Sequence, residues 1–584
     1  MNQYKISIEN RNYDKYVFID VKTMTNVDSM LDINPLKEKL FNYDIITYTG
    51  NKCNLLHSTV KSSTYIPGVL VLKNNRKFGK YKQKFLYKCI PDDKRLPIFL
   101  IPYHMKNGFN KNYVNKYVIF KFKNWDNKHP YGELVNVLGN VSSLDTFYEY
   151  QLYCKSLYAS IQKFTKETMK KLKTYSQDYF IDMIKQKYKL ENRIGRDVIS
   201  IDPKTSKDFD DAFGMIENKF QYIISIYITN VSMWLDVMNV WSSFTERVST
   251  IYLPDRKRPM LPTILSDTLC SLKENDIKFA FTLDLYIDKE TNTLNTYKFT
   301  NTMINIKKNY VYDTDKQEND ELYLKMKQLL CCLNKKKEYN YIDTIQTSHD
   351  VIAYLMIWMN YTSAKELVKH KCGLFRSSKM NDTFQPPLNI DPNIQKFLKI
   401  WNSYGGKYGK YKDLERHDML ELDAYVHITS PIRRLVDLLT MMELQKVLKL
   451  VEWGEEATSF YKHWTSDTSV KYINTTMRSI RRVQNDCLLL NICSTNKEIL
   501  EKTYDGFTAF FALFYYIYLT FLKGKYKFDN SILYWAFFIL WSMYGILYMM
   551  DETTKNVGYN ILDLFAKCFV GIFFWAYFTK VITI

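Results

Sequence analysis

The sequence predicts a multidomain chain with an all-β N-terminal region, a mixed α/β central region and an apolar α-helical tail. Three observations predict this fold class: a length of 584 residues, short alternating runs of apolar and polar residues near the N-terminus, and three long apolar runs near the C-terminus. Because a single hydrophobic core rarely grows beyond about 250 to 300 residues, a chain of this length should form several domains.

Residues 1–145 contain short runs in which apolar and polar residues alternate, a pattern typical of strands in small barrels. These runs are Gly68–Leu72, Leu96–Tyr103, Val118–Phe122 and Tyr131–Leu138. The sequence therefore predicts β-barrels over residues 1–145.

Residues 146–196 form a predicted helical connector, because apolar residues in this region recur every three or four positions. Strand-like alternation then returns, for example over Tyr222–Thr229, and helical spacing dominates from about Asn340 to Ile499. We therefore predict a mixed α/β domain over residues 197–505.

Residues 506–584 form an apolar tail. The runs Phe507–Leu522 and Ser531–Met550 carry no charge, and Leu564–Ile584 is interrupted by only two lysines. A run of about 20 uncharged residues matches the bilayer core, whereas a buried helix of a water-soluble protein normally shows a polar stripe. The tail is therefore predicted to contain transmembrane α-helices.

The predicted topology follows from the charges between the apolar runs. Lys523, Lys525 and Lys527 mark their loop as cytoplasmic, because positively charged loops remain on that side of the membrane. With spans over Ser531–Met550 and Leu564–Ile584, the rest of the chain would lie in the cytoplasm, attached to the membrane through its C-terminus.

The formal net charge of +19 and the pI of about 9.1 indicate a polyanionic partner, either a nucleic acid or an anionic membrane face. A composition biased toward Lys, Asn, Ile and Tyr could by itself produce this charge. Tyr and Phe residues interleaved with lysines nevertheless favour single-stranded nucleic acid, since such a groove attracts phosphates and stacks bases. The ten cysteines include no C-x-x-C pair, which argues against a zinc site and favours reduced thiols.

Four aspartates, Asp202, Asp208, Asp210 and Asp211, lie within ten positions. Such crowding is electrostatically unfavourable unless cations hold the carboxylates together. Two divalent ions about 4 Å apart are a common device for phosphodiester hydrolysis, in which one activates water and the other stabilises the leaving oxygen. A solvated acidic turn is the alternative explanation of such a motif taken alone.

Three sequence blocks place this motif in a wider context. They are Ser200–Ala212 (SIDPKTSKDFDDA), Thr250–Pro262 (TIYLPDRKRPMLP) continuing into Leu265–Leu272 (LSDTLCSL), and Tyr425–Arg434 (YVHITSPIRR). In this order they resemble the RNB catalytic domain of the ribonuclease II and ribonuclease R family of 3′-to-5′ exoribonucleases. The N-terminal strands look like the cold-shock-type OB barrels of that family, so the resemblance covers residues 1–505.

The resemblance implies magnesium-dependent, 3′-to-5′ hydrolysis of single-stranded RNA to nucleoside monophosphates. It implies one or two Mg²⁺ ions held by Asp202, Asp208, Asp210 and Asp211, with Asp210 the carboxylate most directly tied to hydrolysis. RNA is the implied substrate and partner, and the sequence leaves the oligomeric state undetermined.

The resemblance also assigns residues to RNA binding. Tyr252 and Tyr312 lie where the family stacks aromatic rings on terminal nucleotides, although a tyrosine beside Leu and Pro could instead belong to the core. Ser430–Pro431 is typical of a helix start, which would place backbone N–H groups and Arg433 at a phosphate. Arg433 is thus implied in both catalysis and RNA binding.

Arg434 and Asp437 could form an ordinary surface ion pair on the same predicted helix. That pair would have no role at the phosphate.

The chain departs from the family pattern at several positions. Ala353–Tyr354 replaces a pair of glutamates that usually precedes the Met-Ile dipeptide, Asn230 replaces an Asp, and Met441 replaces a His. These losses are expected to lower the catalytic rate more than they weaken metal binding. Asp350, about one helical turn upstream, could compensate for the missing glutamates. They also support an alternative function, a catalytically weak RNA-binding scaffold tethered to a membrane.

Part of the tail resembles the last two helices of microbial rhodopsins. On this resemblance Lys567 matches the retinal Schiff-base lysine, Asp563 its carboxylate partner, and Trp541 and Tyr544 the residues that contact the retinal ring. A lysine and an aspartate four residues apart could also simply neutralise each other within an apolar span. Since about three of seven helices are present, no closed retinal site is expected, and retinal is not an expected cofactor.

Overall fold

The structure is a computed structural model. It describes residues 3–27, 33–49, 52–104, 113–312, 314, 316–380, 394–395, 398, 405–495, 513–523, 531–548, 550 and 552–563. The chain divides into two compact units, Met1–Cys487 and Leu488–Ile584.

The first sheet has four antiparallel strands in the order β2-β1-β3-β4. The strands are β1 (Gln3–Ile8), β2 (Tyr16–Asp20), β3 (Ile45–Thr49) and β4 (Lys52–His57). Alternate residues of β1 face the core, where Ile6 and Ile8 are buried. In the part of the chain that the structure describes, this sheet does not close on itself.

The second sheet has the order β5-β9-β10-β8-β7-β6, and an additional β5–β7 pairing closes it into a barrel. Its strands are β5 (Ile66–Leu70), β6 (Lys80–Tyr81), β7 (Lys84–Pro91), β8 (Phe99–Tyr103), β9 (Lys116–Asn124) and β10 (Tyr131–Asn140). Closure requires a glycine in β5, because a Cβ atom on Gly68 would lie 2.9 Å from the carbonyl oxygen of Ile90. The four strand-like runs of the sequence overlap β5, β8, β9 and β10, so the predicted all-β class is confirmed, while the limits of 1 and 145 remain predictions.

A short helix α1 (Thr59–Ser62) joins the two sheets along the chain, and three helices follow the barrel. These are α2 (Leu144–Cys154), α3 (Gln162–Thr174) and α4 (Gln177–Lys187). The hydroxyls of Ser143 and Ser176 cap α2 and α4. The predicted helical connector is therefore helical, while its limits of 146 and 196 remain predictions.

The central region contains a seven-stranded sheet with the order β11-β18-β17-β14-β13-β12-β19. Its strands are β11 (Glu191–Asn192), β12 (Ile199–Asp202), β13 (Asp211–Glu217), β14 (Gln221–Thr229), β17 (Ile277–Asp288), β18 (Leu294–Asn305) and β19 (Lys308–Val311). Most residues of β17 are buried on both faces, so the sheet lies between layers of other elements.

Helices and two small hairpins surround this sheet. The helices are α5 (Val231–Met238), α6 (Glu321–Asn334), α7 (Ser348–Lys369), α8 (Leu435–Val447), α9 (Glu455–Trp464) and α10 (Asp467–Thr495). The hairpins are β15 (Ile251–Tyr252) with β16 (Lys257–Arg258), and β20 (Leu374–Ser377) with β21 (Lys407–Lys410). One core cluster joins α6 and α7 to the sheet, and α8 contributes to two clusters, so most of its residues are buried. The predicted α/β fold of this region is confirmed, while its limits of 197 and 505 remain predictions.

The second unit contains α11 (Ser531–Tyr548) and α12 (Glu552–Asp563), and residues 513–522 are also helical. Among the described residues, no helix combines the length and the apolar composition needed to cross a bilayer. The predicted span over Ser531–Met550 is therefore not supported: α11 ends at Tyr548, after 18 residues. The other predicted span, Leu564–Ile584, lies outside the described residues.

Three of the four residues that carry the rhodopsin resemblance lie among the described residues, and the fourth does not. Trp541 and Tyr544 lie on α11, and the Tyr544 hydroxyl hydrogen-bonds to the carboxylate of Asp563 at the end of α12. Lys567 lies outside the described residues.

Candidate active site

Two adjacent antiparallel strands bring the four aspartates to one end of the large sheet. Asp202 is the last residue of β12 and Asp211 is the first residue of β13. The loop between these strands carries Asp208 and Asp210, both buried. The cluster predicted from the sequence is thus confined to one strand–loop–strand unit.

Backbone hydrogen bonds hold this loop in place. The Phe209 N–H donates to the Ser271 hydroxyl at 3.0 Å, and the Phe209 carbonyl accepts from the Leu272 N–H at 3.0 Å. The Asp210 carbonyl accepts from the Thr229 N–H at the end of β14, at 2.9 Å. These bonds explain why buried, like-charged side chains keep a defined geometry.

Burial disfavours the charged form of three of these carboxylates. Burial raises the pKa of Asp210 to about 8, although Arg433 and the Ile432 N–H favour its charged form. Burial, followed by the charges of Asp211 and Asp210, raises the pKa of Asp202, and burial also raises the pKa of Asp211. One buried oxygen of Asp202, Oδ2, has no hydrogen-bond partner within the described part of the chain. This donor set fits a hard divalent cation, which takes carboxylate oxygens and offsets their repulsion.

The raised pKa of Asp210 predicts a pH-dependent stability. Folded Asp210 keeps a proton up to about pH 8, whereas an unfolded aspartate releases it near 3.8, so the folded chain binds more protons between these values. Stability in chelator should therefore fall as the pH rises from 5 toward 8.5. Thermal unfolding across this range measures the change in stability, and Asp210→Asn should have a smaller slope, because its side chain cannot titrate while Asp202 and Asp211 still can. An equal slope in the variant would contradict the assignment.

A backbone turn presents Arg433 to Asp210. The Ile432 N–H donates to Asp210 Oδ1 at 2.9 Å, and Arg433 Nε lies 3.3 Å from Asp210 Oδ2. The side chain of Arg433 is 43% exposed, whereas that of Asp210 is 5% exposed. The guanidinium can therefore hold the carboxylate and still contact a phosphate from solvent.

The predicted helix start at Ser430–Pro431 is wrong, because α8 begins four residues later, at Leu435. Residues 431–433 form a turn, and Arg434 is extended (φ −137°, ψ 124°) where it forms a β-bridge with Ser249. This pairing across the chain prevents the helix from starting at the proline.

The predicted ion pair of Arg434 and Asp437 is confirmed, but its predicted place at the surface is wrong. Arg434 and Asp437 form an ion pair at 2.8 Å, but the Asp437 side chain is fully buried. Its carboxylate also accepts the Ser430 N–H at 2.8 Å, so the pair supports the turn that carries Arg433.

The two tyrosines implied in RNA binding differ in their surroundings. Tyr252, on hairpin strand β15, is 40% exposed. Tyr312 packs partly against the core and stacks face to face on His349, with ring centroids 3.9 Å apart. The Tyr312 N–H donates to the carbonyl of Asp202 at 3.1 Å, which places this residue beside the carboxylate cluster.

A cavity of about 290 Å³ lies next to Tyr252 and Arg433. Its lining also includes Arg376, Arg434, Arg478, Arg481, Tyr408 and His427. Burial, and then the nearby arginines, keep the pKa of His427 well below its usual value, so this ring is neutral and the arginines set the charge. Sequence reasoning missed Arg376, Arg478 and Arg481, which come from β20 and α10 and share no local motif.

As they stand, no three Asp, Glu, His or Cys side chains in the described ranges converge closely enough to hold a metal ion. The described contacts suggest a physical reason. Asp208 Oδ1 lies 2.9 Å from the ammonium of Lys257, and both oxygens of Asp210 are engaged by the turn at Ile432 and Arg433.

Comparison with known proteins adds to this geometry. Residues 190–318 match the RNB domain, and residues 86–150 match the Dis3-like cold-shock domain 2 (CSD2). The first of these segments contains all four aspartates, and the second covers most of the closed barrel.

Ribonuclease R of Ureaplasma parvum serovar 3 is 28% identical to the chain over 207 residues, which cover 35% of this chain and 27% of that protein. The matched parts span between 17% and 56% of the length of the curated relatives. None of these matches supports the resemblance of the tail to microbial rhodopsins.

The fold is similar to that of several solved structures. Mycoplasma genitalium RNase R, in complex with ribose-methylated single-stranded RNA, has a TM-score of 0.63 and 16% identity, covering 85% of this chain and 87% of that chain. Yeast Ssd1, a pseudonuclease, has a TM-score of 0.54 and 13% identity, covering 84% and 74%. Because the same fold occurs in a nuclease and a pseudonuclease, the fold alone does not determine activity, which depends on the residues of the site.

Residues at which the chain departs from the RNB pattern have structural roles. Asp350 caps α7 in a capping box with Thr347, so it does not replace the missing glutamates. Tyr354 is fully buried and its hydroxyl donates to the carbonyl of Tyr339 at 2.9 Å. Asn230 is also buried, and its amide donates to the side-chain oxygen of Gln445 at 3.0 Å.

Proposed function

We propose that this chain is a magnesium-dependent exoribonuclease that removes nucleotides from the 3′ end of single-stranded RNA and releases nucleoside monophosphates. One observation carries the proposal: the buried carboxylate of Asp210 is joined to the exposed guanidinium of Arg433 at the edge of an arginine-lined cavity. The RNB match over residues 190–318 and the ribonuclease R relatives support the reaction class.

Asp202, Asp208, Asp210 and Asp211 would hold the metal, because they supply the oxygen ligands that magnesium prefers. When bound, the metal would lower the pKa of a water molecule and neutralise charge on the leaving oxygen. In the net reaction a water oxygen bonds to the terminal phosphorus and the P–O3′ bond breaks. The products are a nucleoside 5′-monophosphate and a chain shortened by one residue with a new 3′-hydroxyl.

Arg433 would bind the scissile phosphate and orient it toward Asp210. A guanidinium at the edge of a buried carboxylate can exchange part of its ion pair for a phosphate oxygen without losing its charge partner. The other arginines of the cavity would bind the terminal nucleotide's phosphate, and Tyr252 would stack on a base.

The closed barrel offers a further RNA-binding surface. Lys77 lies over the ring of Phe85, Lys88 over the ring of Phe78, and Lys123 over the ring of Tyr81, each within 5 Å of the ring centroid. Cations beside aromatic rings suit both the phosphates and the bases of a single strand, and Lys77 and Lys123 are exposed. This surface could feed RNA toward the cavity.

The competing function is a catalytically weak RNA-binding scaffold. It is favoured by the replacement of the glutamate pair by Ala353 and a buried Tyr354, and by the absence of a converged metal-binding triad within the described residues. The membrane tether first attached to this alternative is not supported by the described tail.

Digestion of RNA labelled at its 3′ or 5′ end, with Mg²⁺ titrated against chelator, tests the proposed function. We expect 3′-labelled RNA to release a labelled mononucleotide first, and 5′-labelled RNA to shorten progressively. Binding without hydrolysis at every Mg²⁺ concentration would favour the scaffold, and first release of the 5′ label would overturn the assigned direction.

Tyr252 should contribute to RNA binding by stacking. Removal of its ring in Tyr252→Ala is expected to weaken binding by about 5- to 150-fold, since stacking contributes roughly 1 to 3 kcal/mol per base. The slope of log affinity against log salt should not change, because no phosphate contact is lost. Tyr252→Phe, which keeps the ring, is the matched control, and wild-type affinity for Tyr252→Ala would place the residue among packing residues.

A further inference from the structure

Lys257 contacts two carboxylates that belong to different parts of the chain. Its ammonium nitrogen lies 2.9 Å from Asp208 Oδ1 and 3.0 Å from Asp267 Oδ1. Asp208 lies in the loop between β12 and β13, and Asp267 lies in a single π-helical turn, Leu265–Leu269. The ammonium therefore bridges the carboxylate cluster and a carboxylate outside it.

The hairpin fixes this position. Lys257 is the register partner of Tyr252 in the β15–β16 pair, so the two side chains lie on the same face. The side chain of Lys257 is 24% exposed and that of Asp208 is 7% exposed. An ion pair with this little solvent is screened less than a surface pair.

The contact has a consequence for metal binding. A carboxylate oxygen that accepts a hydrogen bond from an ammonium cannot simultaneously give the same lone pair to a divalent ion. The two cations also repel each other at this distance. A divalent ion that binds Asp208 through Oδ1 therefore competes with Lys257 for that oxygen, and the contact of Lys257 with Asp267 can retain the ammonium.

We propose that Lys257 is a built-in competitor of the divalent metal at Asp208, and that Asp267 is the carboxylate that keeps the ammonium when the metal binds. The proposal rests on the proposed function, which assigns Asp208 to the metal. The exchange involves no covalent step: the Lys257–Asp208 contact breaks, a metal–Asp208 contact forms, and the Lys257–Asp267 contact remains.

Two substitutions should then act in opposite directions. Lys257→Met removes the competitor and should tighten divalent metal binding by about tenfold, the effect of one unit charge within about 5 Å of a divalent ion. Asp267→Asn leaves Lys257 with Asp208 alone and should weaken metal binding. In the Lys257→Met background, Asp267→Asn should have a much smaller effect, because no ammonium remains to be redistributed.

The experiment measures Mn²⁺ binding to the full chain without RNA, from the loss of the electron paramagnetic resonance signal of free Mn²⁺. Lys289→Met is the matched control, since Lys289 also pairs with a carboxylate, Glu217, and is 23% exposed. Glu217 ends strand β13, about 20 Å from Asp211 at its start, so this variant should bind Mn²⁺ as the wild type does. Thermal unfolding in chelator checks that each variant is folded.

Tighter binding by Lys257→Met together with weaker binding by Asp267→Asn would support the proposal. Wild-type Mn²⁺ affinity in folded Lys257→Met, or an equal effect of Asp267→Asn in both backgrounds, would overturn it. If Lys257→Met does not fold, Asp267→Asn alone decides, because an unchanged affinity also overturns the proposal. If neither the wild type nor Lys257→Met binds Mn²⁺, the metal assignment of the proposed function fails as well. If both bind Mn²⁺ with the same affinity, only the competition by Lys257 is contradicted.

Discussion

Asp210→Asn is expected to reduce RNA hydrolysis on the order of 10³-fold or more, while single-stranded RNA binding stays within a few-fold of wild type. The asparagine oxygen can still accept the Ile432 N–H, so the turn that presents Arg433 should survive. The substitution removes one anionic ligand from the proposed metal site and leaves the arginines of the cavity untouched. Initial rates with end-labelled RNA and direct binding in chelator measure the two quantities.

The matched control for this variant is Asp288→Asn. Asp288 is also an aspartate of the large sheet, but it pairs with Gln221 at the opposite end of β14 from Thr229, which contacts Asp210. Its carboxylate accepts backbone N–H groups in a turn, a role that asparagine can keep. Wild-type turnover by Asp210→Asn would show that this carboxylate takes no part in hydrolysis.

Arg433→Ala should lower kcat by about 10²- to 10³-fold, because a charged donor aimed at the reacting phosphate stabilises charge that develops in the transition state. KM should change less, since the other arginines of the cavity remain. Loss of Arg433 also removes the charge that favours ionised Asp210, so the acid limb of the rate profile should move to higher pH.

Arg256→Ala serves as the control for Arg433→Ala. Arg256 lies in the neighbouring hairpin, is 69% exposed and is not among the residues that line the cavity. Arg433→Lys, which keeps the charge but loses the planar fork, should fall between alanine and wild type. Equal activity of Arg433→Ala and Arg256→Ala would show that Arg433 takes no part in the reaction.

Several features were predictable because they depend on residues that are close together in the sequence. The carboxylate cluster spans ten positions, so one loop between two strands is enough to bring Asp202 and Asp211 to the same place. The apolar runs of the sequence likewise located β9 and β14, although consecutive residues of both strands are buried and the alternation therefore does not define one buried face.

Other features were mispredicted because distant pairing overrides local preference. Ser430–Pro431 is a good helix start by its own chemistry, yet the pairing of Arg434 with Ser249 delays α8 to Leu435. Asp350, proposed as a substitute for the missing glutamates, is used by the N-terminus of α7, because an unpaired helix end binds the nearest capping carboxylate.

By itself, the sequence determined the order of the β and α/β regions and the carboxylate cluster, because periodicity and short spacing express local geometry. Only the tertiary structure decided what surrounds that cluster. Arg433 reaches Asp210 across more than 200 positions, and Lys257 reaches Asp208 across a hairpin placed by the core. Such contacts depend on how separate elements pack, and the residues that meet in this way show no periodic pattern in the sequence.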